Sequence, residues 1–279
     1  MAPIHTPETL AIFEVEFYKR IYPVIFAVRA GEPYCLDILE ESTEQAYIAF
    51  FKKLDANKVK MIYIDPVESL YNAIKSFFPS VFVMVTDECI LRYARMALHD
   101  VIYKDGKRMP VKNKYDTLMQ KKDNITEVYT KRQMVSGFQS RPLLKDAYDH
   151  YQKLITLMEA KWQYSDIKAW LDGMPDNLPE FGILTDVVEL FGDNIKEFSE
   201  EVGSTSGTYT TSVRQFIKAI NEMPFCIYDV LRARIIFSAP PDTIIEDETE
   251  KRIGVRVGRL INKLEEVTGN IKEDRYYGL

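Results

Sequence analysis

Three consecutive extended segments near the N-terminus constrain the fold more than any other feature. The segment "LAIFEVEFY" alternates, with Phe13, Val15 and Phe17 on one face and Glu14 and Glu16 on the other. "YPVIFAVRA" is an almost continuous apolar run, as expected of a central strand, and "AGEP" predicts a turn into "YCLDILEE". The sequence therefore predicts a meander of three antiparallel strands.

Two further strands and three helices are predicted to follow this meander. Ser42 or Thr43 is placed to cap the helix "TEQAYIAFFKKL". "VKMIYID" predicts a fourth strand, "PVESLYNAIKSFF" a helix, "SVFVMVTD" a fifth strand and "CILRYARMALHDVIYK" another helix. This is the chain order of an RNase H-like domain. We therefore expect an α/β fold with a mixed sheet of three antiparallel strands plus two further strands.

The strand signal disappears after about residue 104. Helical spacing dominates "RPLLKDAYDHYQKLITLMEAKW", "YSDIKAWLDGM" and "LTDVVELFGDNIKEFSEEV". We expect four parts, which are an N-terminal part of the RNase H-like core (1–103), a large all-α insertion (104–204), helices completing the core (205–240), and a C-terminal amphipathic helix and tail (241–279).

Composition narrows the class of protein. The formal net charge of the 279 residues is −6, whereas proteins that grip phosphate backbones are usually basic overall. The three cysteines and three histidines are scattered, so neither a zinc ribbon nor a disulfide framework is expected. The apolar stretches are too short to span a bilayer, and "MAPIHTPETL" lacks the features of a signal peptide. We expect a cytoplasmic protein with no membrane contact.

Three blocks of sequence carry a family resemblance. "IYIDPVESLYNAIKSFFPSVFVMVTDECILRYARMAL" resembles a segment in which an aspartate and an aromatic-rich helix precede the motif "D-R-F-H". "LLKDAYDHYQKLITLM" resembles part of a helical insertion, and "TSVRQFIKAINEMPFCIYDVLRARIIFS" is similar to a closing block with "F-x-x-L-R-A-R-I-L". Over most of residues 10–238 the chain resembles the insertion-sequence transposases of the ISL3 type. The resemblance implies a DDE catalytic domain with an RNase H-like fold and an all-α insertion.

The resemblance also implies metal-assisted phosphoryl transfer on DNA, with carboxylates holding two Mg²⁺ ions. Asp65 matches the second catalytic aspartate of the family, but Phe13 and Thr211 occupy the other two catalytic positions. Thr86 and Cys89 replace the Asp and His of "D-R-F-H". Because a phenyl ring and a hydroxyl group cannot replace two carboxylates, the resemblance implies a transposase-like protein that has lost catalysis. No cofactor is then expected, and only an active site would hold Mg²⁺, with Asp65 as its retained ligand.

Two alternatives for these acids stay open. Asp65 precedes Pro66, a pattern typical of a helix N-cap followed by the first helical residue. Alternatively, Asp65 combines with Asp87 and with Glu14 or Glu16 in a relocated site, which would make the chain an active Mg²⁺-dependent transposase or nuclease. Strand alternation points both glutamates away from the position of the lost aspartate, unless a bulge shifts the register.

One clearly basic stretch follows the RNase H-like part. If DNA is bound, we expect the contacts at Lys107, Arg108, Lys112, Lys114, Lys121 and Lys122. Tyr115 would be placed to stack on a base. The alternative is a solvated helix face. Since the net charge is negative and the zinc-binding and helix-turn-helix parts of the family have no counterpart in this sequence, a protein partner or a homodimer is favoured over DNA.

Two further expectations concern the predicted helix "YDVLRARIIFS" and the overall function. Arg232 and Arg234, in "LRARIIF", are expected to anchor their helix to acidic groups at the edge of the core rather than to contact DNA. An α/β interaction module unrelated to transposition remains the third interpretation. It would be favoured if the first three strands did not share one sheet with the fourth and fifth.

Overall fold

A computed structural model describes residues 6–17, 20–29, 32–105, 114–201 and 228–237. Within these residues the strands are β1 (Thr9–Phe17), β2 (Arg20–Arg29), β3 (Glu32–Ile38), β4 (Met61–Ile64) and β5 (Phe82–Val85). The helices of the same residues are α1 (Glu44–Phe51), α2 (Glu68–Phe77), α3 (Asp87–Asp105), α4 (Lys114–Met119), α5 (Val128–Gln139), α6 (Pro142–Glu159), α7 (Tyr164–Asp172), α8 (Gly182–Glu201) and α9 (Tyr228–Phe237). Short 3₁₀-helices span Lys122–Asn124 and Pro179–Phe181.

The five strands form one mixed sheet in the order β3-β2-β1-β4-β5. The β1–β2 pairing is antiparallel and keeps one register from Leu10, opposite Ala27, to Phe17, opposite Arg20. The β2–β3 pairing is also antiparallel, whereas β4 and β5 are parallel and are connected through α2. An antiparallel meander with two added parallel strands is the RNase H-like arrangement that the sequence predicts. The single sheet argues against the interpretation in which the first three strands lie apart.

The chain divides into two compact units. The first comprises Met1–Lys60, Asn72–Ser80 and Thr211–Leu279, and the second comprises Met61–Tyr71 and Val81–Thr210.

The core of the first unit is aromatic. Tyr47, Phe50 and Phe51 of α1 are buried, and the ring of Phe51 lies 5.0 Å from that of Phe78. Helix α1 begins where the sequence predicts, because the Thr43 hydroxyl accepts the backbone N–H of Ala46. Packing of α1 thereby buries its apolar stripe within this unit.

The second unit contains β4, β5 and a group of helices. In this unit α3 packs against α6 and α8, and α8 also packs against β5. The amide of Asn194 in α8 donates to the Val83 carbonyl of β5 at 2.8 Å. Elsewhere in this unit the ring of His150 stacks on that of Trp170, with ring centroids 4.2 Å apart.

The predicted elements agree well with the structure. The regular elements described between residues 114 and 201 are all helical, as the helical spacing of that segment indicates. Sequence reasoning missed α4 and α5 as separate helices, because α4 has only 6 residues and α5 carries few apolar residues at helical spacing. Residues 202–227, which include part of the predicted core-completing helices (205–240), and the predicted C-terminal helix and tail (241–279) fall outside the described residues, as does the side chain of Arg234. No described helix combines the length and the apolarity that a bilayer crossing needs.

Candidate functional site

The residue that follows β4, Asp65, carries a buried carboxylate. Ile62 and Ile64 of β4 are fully buried, and Asp65, which follows them, has 0% of its surface exposed. A carboxylate removed from water in this way is strongly destabilising unless charged or hydrogen-bonding partners surround it. The side chains around Asp65 therefore decide what it does.

Arg92 of α3 holds this carboxylate with both arms of its guanidinium. Its Nη1 donates to Oδ2 of Asp65 at 2.8 Å, and its Nη2 lies 2.8 Å from Oδ1. Such a bidentate pair is the strongest geometry for an arginine and a carboxylate. Burial opposes the charged form of Arg92, but the charge and hydrogen bond of Asp65, with smaller contributions from Cys89 and Tyr93, together outweigh burial and raise the pKa of the guanidinium above its ordinary value.

A cysteine completes the surroundings of Asp65. The Cys89 thiol donates to Oδ1 of Asp65 at 3.0 Å, and the hydroxyl of Thr86 lies 3.3 Å from the same sulfur. Burial, and then the charge of Asp65, raise the pKa of Cys89 well above its ordinary value, so the thiol stays protonated and acts as a donor. Cys89 and Arg92 lie three residues apart on α3, a spacing that brings side chains to one face of a helix.

The chemistry of this cluster does not suit a divalent cation. Mg²⁺ takes oxygen ligands, usually from several carboxylates and waters, whereas both oxygens of Asp65 already face Arg92. Among the described residues no group of three or more His, Cys, Asp or Glu side chains is arranged to hold a metal ion. We therefore derive no reaction step through a metal at Asp65.

The acids that follow β5 lie at the start of α3. Asp87 is the first residue of this helix, and its Oδ1 accepts the backbone N–H of Glu88 at 2.8 Å. Glu88 in turn accepts a hydrogen bond from Nη1 of Arg95 at 2.8 Å. Negative charge is favourable in the first turn of a helix, because it complements the helix dipole. Both acids thus have local structural roles.

The predicted positions on β1 are also occupied. Phe13 is buried, and its ring centroid lies 6.4 Å from that of Phe26. Because the β1–β2 register is unbroken there, Glu14 keeps the strand face opposite Phe13, and its carboxylate accepts the Ser42 hydroxyl. The side chain of Glu16 and all of Thr211 lie outside what the structure describes.

The helix that Asp65 was expected to cap begins later than predicted. The first residue of α2 is Glu68, and the Val67 carbonyl accepts the first helical hydrogen bond, from the N–H of Tyr71 at 3.0 Å. Val67 therefore holds the N-cap position. Asp65 lies two residues before it, so the predicted helix start at Pro66 is wrong by two residues.

A comparison with protein families identifies what this fold and site are similar to. The family model of ISL3-type DDE transposases, described as a transposase, matches residues 10–229. The chain belongs to the ISL3-type DDE transposase family. A comparison with curated proteins finds no match.

The basic stretch of this transposase-family chain is described only in part. Lys107, Arg108 and Lys112 lie outside the described residues, as does the side chain of Lys114. Lys121 forms ion pairs with Glu159 and, at 3.8 Å, with Asp123, whereas Lys122 lines a cavity. Tyr115 stacks on His99, with ring centroids 4.8 Å apart. The predicted DNA contacts at these positions remain predictions.

Sequence reasoning missed Arg92, which pairs with both carboxylate oxygens of Asp65. The available signal was the spacing of Thr86, just before α3, and of Cys89 and Arg92 on this helix, which predicts that the three side chains lie on one face. By contrast, the expected anchoring role of Arg232 is confirmed, since it forms a bidentate pair with Asp37 of β3 at 2.6 and 2.9 Å.

Proposed function

We propose that this member of the ISL3-type family has kept the transposase fold without its two-metal catalysis and acts by binding a partner. The observation that carries this proposal is the bidentate Arg92–Asp65 pair at the position that matches the second catalytic aspartate of the family. Burial of Asp65 and the Cys89 hydrogen bond support the same conclusion.

Electrostatics oppose a metal ion at this position. A single positive charge about 4 Å from a guanidinium is repelled by roughly 4 kcal/mol at an effective dielectric constant near 20. Mg²⁺ carries two positive charges, so its repulsion is larger. A magnesium ion bound to Asp65 would therefore have to displace Arg92 from the pair. Displacement would leave the arginine, which makes two 2.8 Å contacts with the carboxylate, without that partner.

The relocated active site is the competing proposal. It requires Asp87 and a glutamate of β1 as metal ligands beside Asp65. The hydrogen bond from Ser42 to Glu14 and the use of Asp87 at the start of α3 support structural roles for these acids instead. Phe13, at the matching position of the first catalytic aspartate, contributes no metal-binding oxygen and packs in the core.

A protein partner, including a second copy of the chain, fits the charge balance better than DNA. The net charge is −6, and one of the lysines predicted to meet DNA is paired with two carboxylates in the structure. A surface neutralised in this way attracts phosphates weakly.

A metal titration with a strand-nicking assay tests the proposal. The native protein and Asp65→Asn are titrated with Mg²⁺ and Mn²⁺ by calorimetry, and each is incubated with supercoiled DNA and either metal. Asp37→Asn is the matched control, because Asp37 is a buried aspartate in an arginine pair that the family resemblance does not connect with catalysis. We expect no metal-dependent nicking and no saturable metal binding with any of the three proteins.

Metal binding and nicking that disappear in Asp65→Asn but persist in Asp37→Asn would overturn the proposal in favour of a relocated active site. Light scattering and a DNA mobility-shift measurement on the native protein separate the partner classes. A salt-sensitive DNA complex, with no self-association, would replace the protein partner by DNA while leaving the loss of catalysis intact.

A further inference from the structure

A cavity of about 500 Å³ lies in the helical part of the second unit. Its lining comes from the 3₁₀-helix Lys122–Asn124, from α5 and from α6. The walls are mainly apolar, with Ile125, Met134 and Phe138 among them. This volume falls in the range that small organic ligands occupy in proteins, and apolar walls with a few polar groups are typical of such sites.

A buried hydroxyl group lies in the lining of this cavity. Tyr148 of α6 is 2% exposed, and its ring packs 5.1 Å from the ring of Phe138. Within the described residues its hydroxyl has no hydrogen-bond partner. Burial raises the pKa of Tyr148 above its ordinary value, so the phenol remains a hydrogen-bond donor at neutral pH. An unsatisfied buried donor is destabilising, and an acceptor atom of a ligand would remove that penalty.

The polar part of the lining is cationic. Lys122, Lys131 and Lys145 line the cavity together with Asp123 and Asp149. Lys145 pairs with Asp149 at 2.5 Å, whereas the ammonium groups of Lys122 and Lys131 have no ion-pair partner among the described residues. Two lysines are therefore available beside an apolar cavity with a buried donor.

We propose that this cavity binds a small organic anion with an apolar, ring-sized body and one carboxylate or sulfonate group. The apolar body would contact Ile125, Met134 and Phe138, the anionic group would attract Lys122 and Lys131, and an acceptor atom would meet the Tyr148 hydroxyl. This binding site is separate from the Asp65 cluster and does not depend on the proposed loss of catalysis.

Fluorescence titration with 8-anilinonaphthalene-1-sulfonate tests the site, because this probe is an apolar anion that brightens when it leaves water. Its uncharged counterpart, N-phenyl-1-naphthylamine, measures the contribution of the charge. The variants are Tyr148→Phe, which removes only the hydroxyl, Lys131→Gln, which removes one charge, and Met134→Trp, which fills the cavity. Lys168→Gln on α7, outside the cavity lining, is the matched surface control.

We expect one saturable site per chain for the sulfonate and at least tenfold weaker binding of the neutral amine. Tyr148→Phe and Lys131→Gln should each weaken sulfonate binding about three- to tenfold, Met134→Trp should abolish it, and Lys168→Gln should leave it unchanged. Because Tyr148→Phe removes an unsatisfied hydroxyl, the melting temperature of this variant should be at least that of the native protein. Weaker sulfonate binding by a variant of unchanged melting temperature would then not be due to unfolding.

Sulfonate binding that is unaffected by Tyr148→Phe and by Met134→Trp would overturn the proposal and indicate adventitious dye binding elsewhere. Equal affinity for the neutral amine would also overturn it, and would indicate instead an apolar groove for a partner helix.

Discussion

Two buried aspartates of this protein are held in the same way, one in each compact unit. Asp65, after β4, is paired with Arg92 at 2.8 Å through both carboxylate oxygens, and Asp37, on β3, is paired with Arg232 at 2.6 and 2.9 Å. Each aspartate also has a buried cysteine beside it, Cys89 for Asp65 and Cys35 for Asp37.

The two pairs differ in the rest of their surroundings. Asp37 has additional partners, because Lys53 lies 3.6 Å from its Oδ2 and the backbone N–H of Ile38 donates to its Oδ1. Of the two, only Asp65 is predicted from the sequence resemblance to match a catalytic residue of the transposase family. A bidentate arginine pair also holds Asp37, for which the family resemblance predicts no catalytic role. The Asp65–Arg92 pair can therefore be explained by the need to pair a buried carboxylate, without catalysis.

The largest effect is expected from Arg92→Met. Removing the guanidinium takes away both 2.8 Å contacts that Arg92 makes with a fully buried carboxylate, and breaking a buried pair in this way costs about 3–5 kcal/mol. Urea unfolding followed by circular dichroism at pH 7 measures the loss.

The double variant Asp65→Asn, Arg92→Met should recover a substantial part of that stability, because it removes the buried carboxylate charge together with its arginine partner. If Arg92→Met cost less than about 1 kcal/mol, Asp65 would have to be hydrated or otherwise compensated, and the likeness to Asp37 would fail.

A buried histidine that has no ion pair among the described residues extends the comparison. His150 is 2% exposed in an aromatic cluster with Trp170 and Phe181, and burial, with a smaller contribution from Lys153, lowers its pKa to about 4 from an ordinary value of 6.5. Between these two pKa values the unfolded chain binds more protons, so acid destabilises the fold. We expect the neutral histidine to contribute about 2–3 kcal/mol of stability at pH 7 that is lost as the pH falls from 6.5 through 4.

His150→Phe is the control for this pH dependence. Other groups titrate identically in both proteins, so the difference in urea unfolding free energy between them should shift by that amount in favour of the phenylalanine variant between pH 7 and pH 4. A constant difference across this range would show that His150 is not buried in the neutral form.

A smaller loss is expected from Arg232→Met. Asp37 keeps Lys53 and the Ile38 N–H, and the Arg232 side chain is 40% exposed, so solvent screens part of the interaction. We expect about 1–2 kcal/mol in the same urea assay. A loss equal to or above that of Arg92→Met would reverse the order of the two pairs.

The smallest difference between the two clusters is expected in the reactivity of their cysteines, Cys35 and Cys89. Burial raises the pKa of both thiols, and in each case the neighbouring aspartate raises it further. In a Cys226→Ser background, a disulfide reagent at pH 8 should modify both cysteines at least about 100-fold more slowly in the folded protein than in urea. Fast labelling of Cys89 alone would mean that the Asp65 cluster opens while the Asp37 cluster stays closed.

Much of the architecture was predictable from the sequence. Alternation in "LAIFEVEFY" and the apolar run "YPVIFAVRA" predicted β1 and β2, because side chains alternate faces along a strand and burial selects apolar residues. Thr43 predicted the start of α1, since it supplies a local acceptor. The same local reasoning failed at Pro66, where the chain needs two further residues before α2 begins.

The sequence by itself determined the order of strands and helices and the family. Only the tertiary structure decided which side chain Asp65 meets. Periodicity shows which face of α3 turns inward, but it does not show that Arg92, 27 residues away, reaches the end of β4. That meeting depends on the parallel pairing of β4 with β5 and on the direction in which α3 leaves the sheet, and both arise from packing rather than from local sequence.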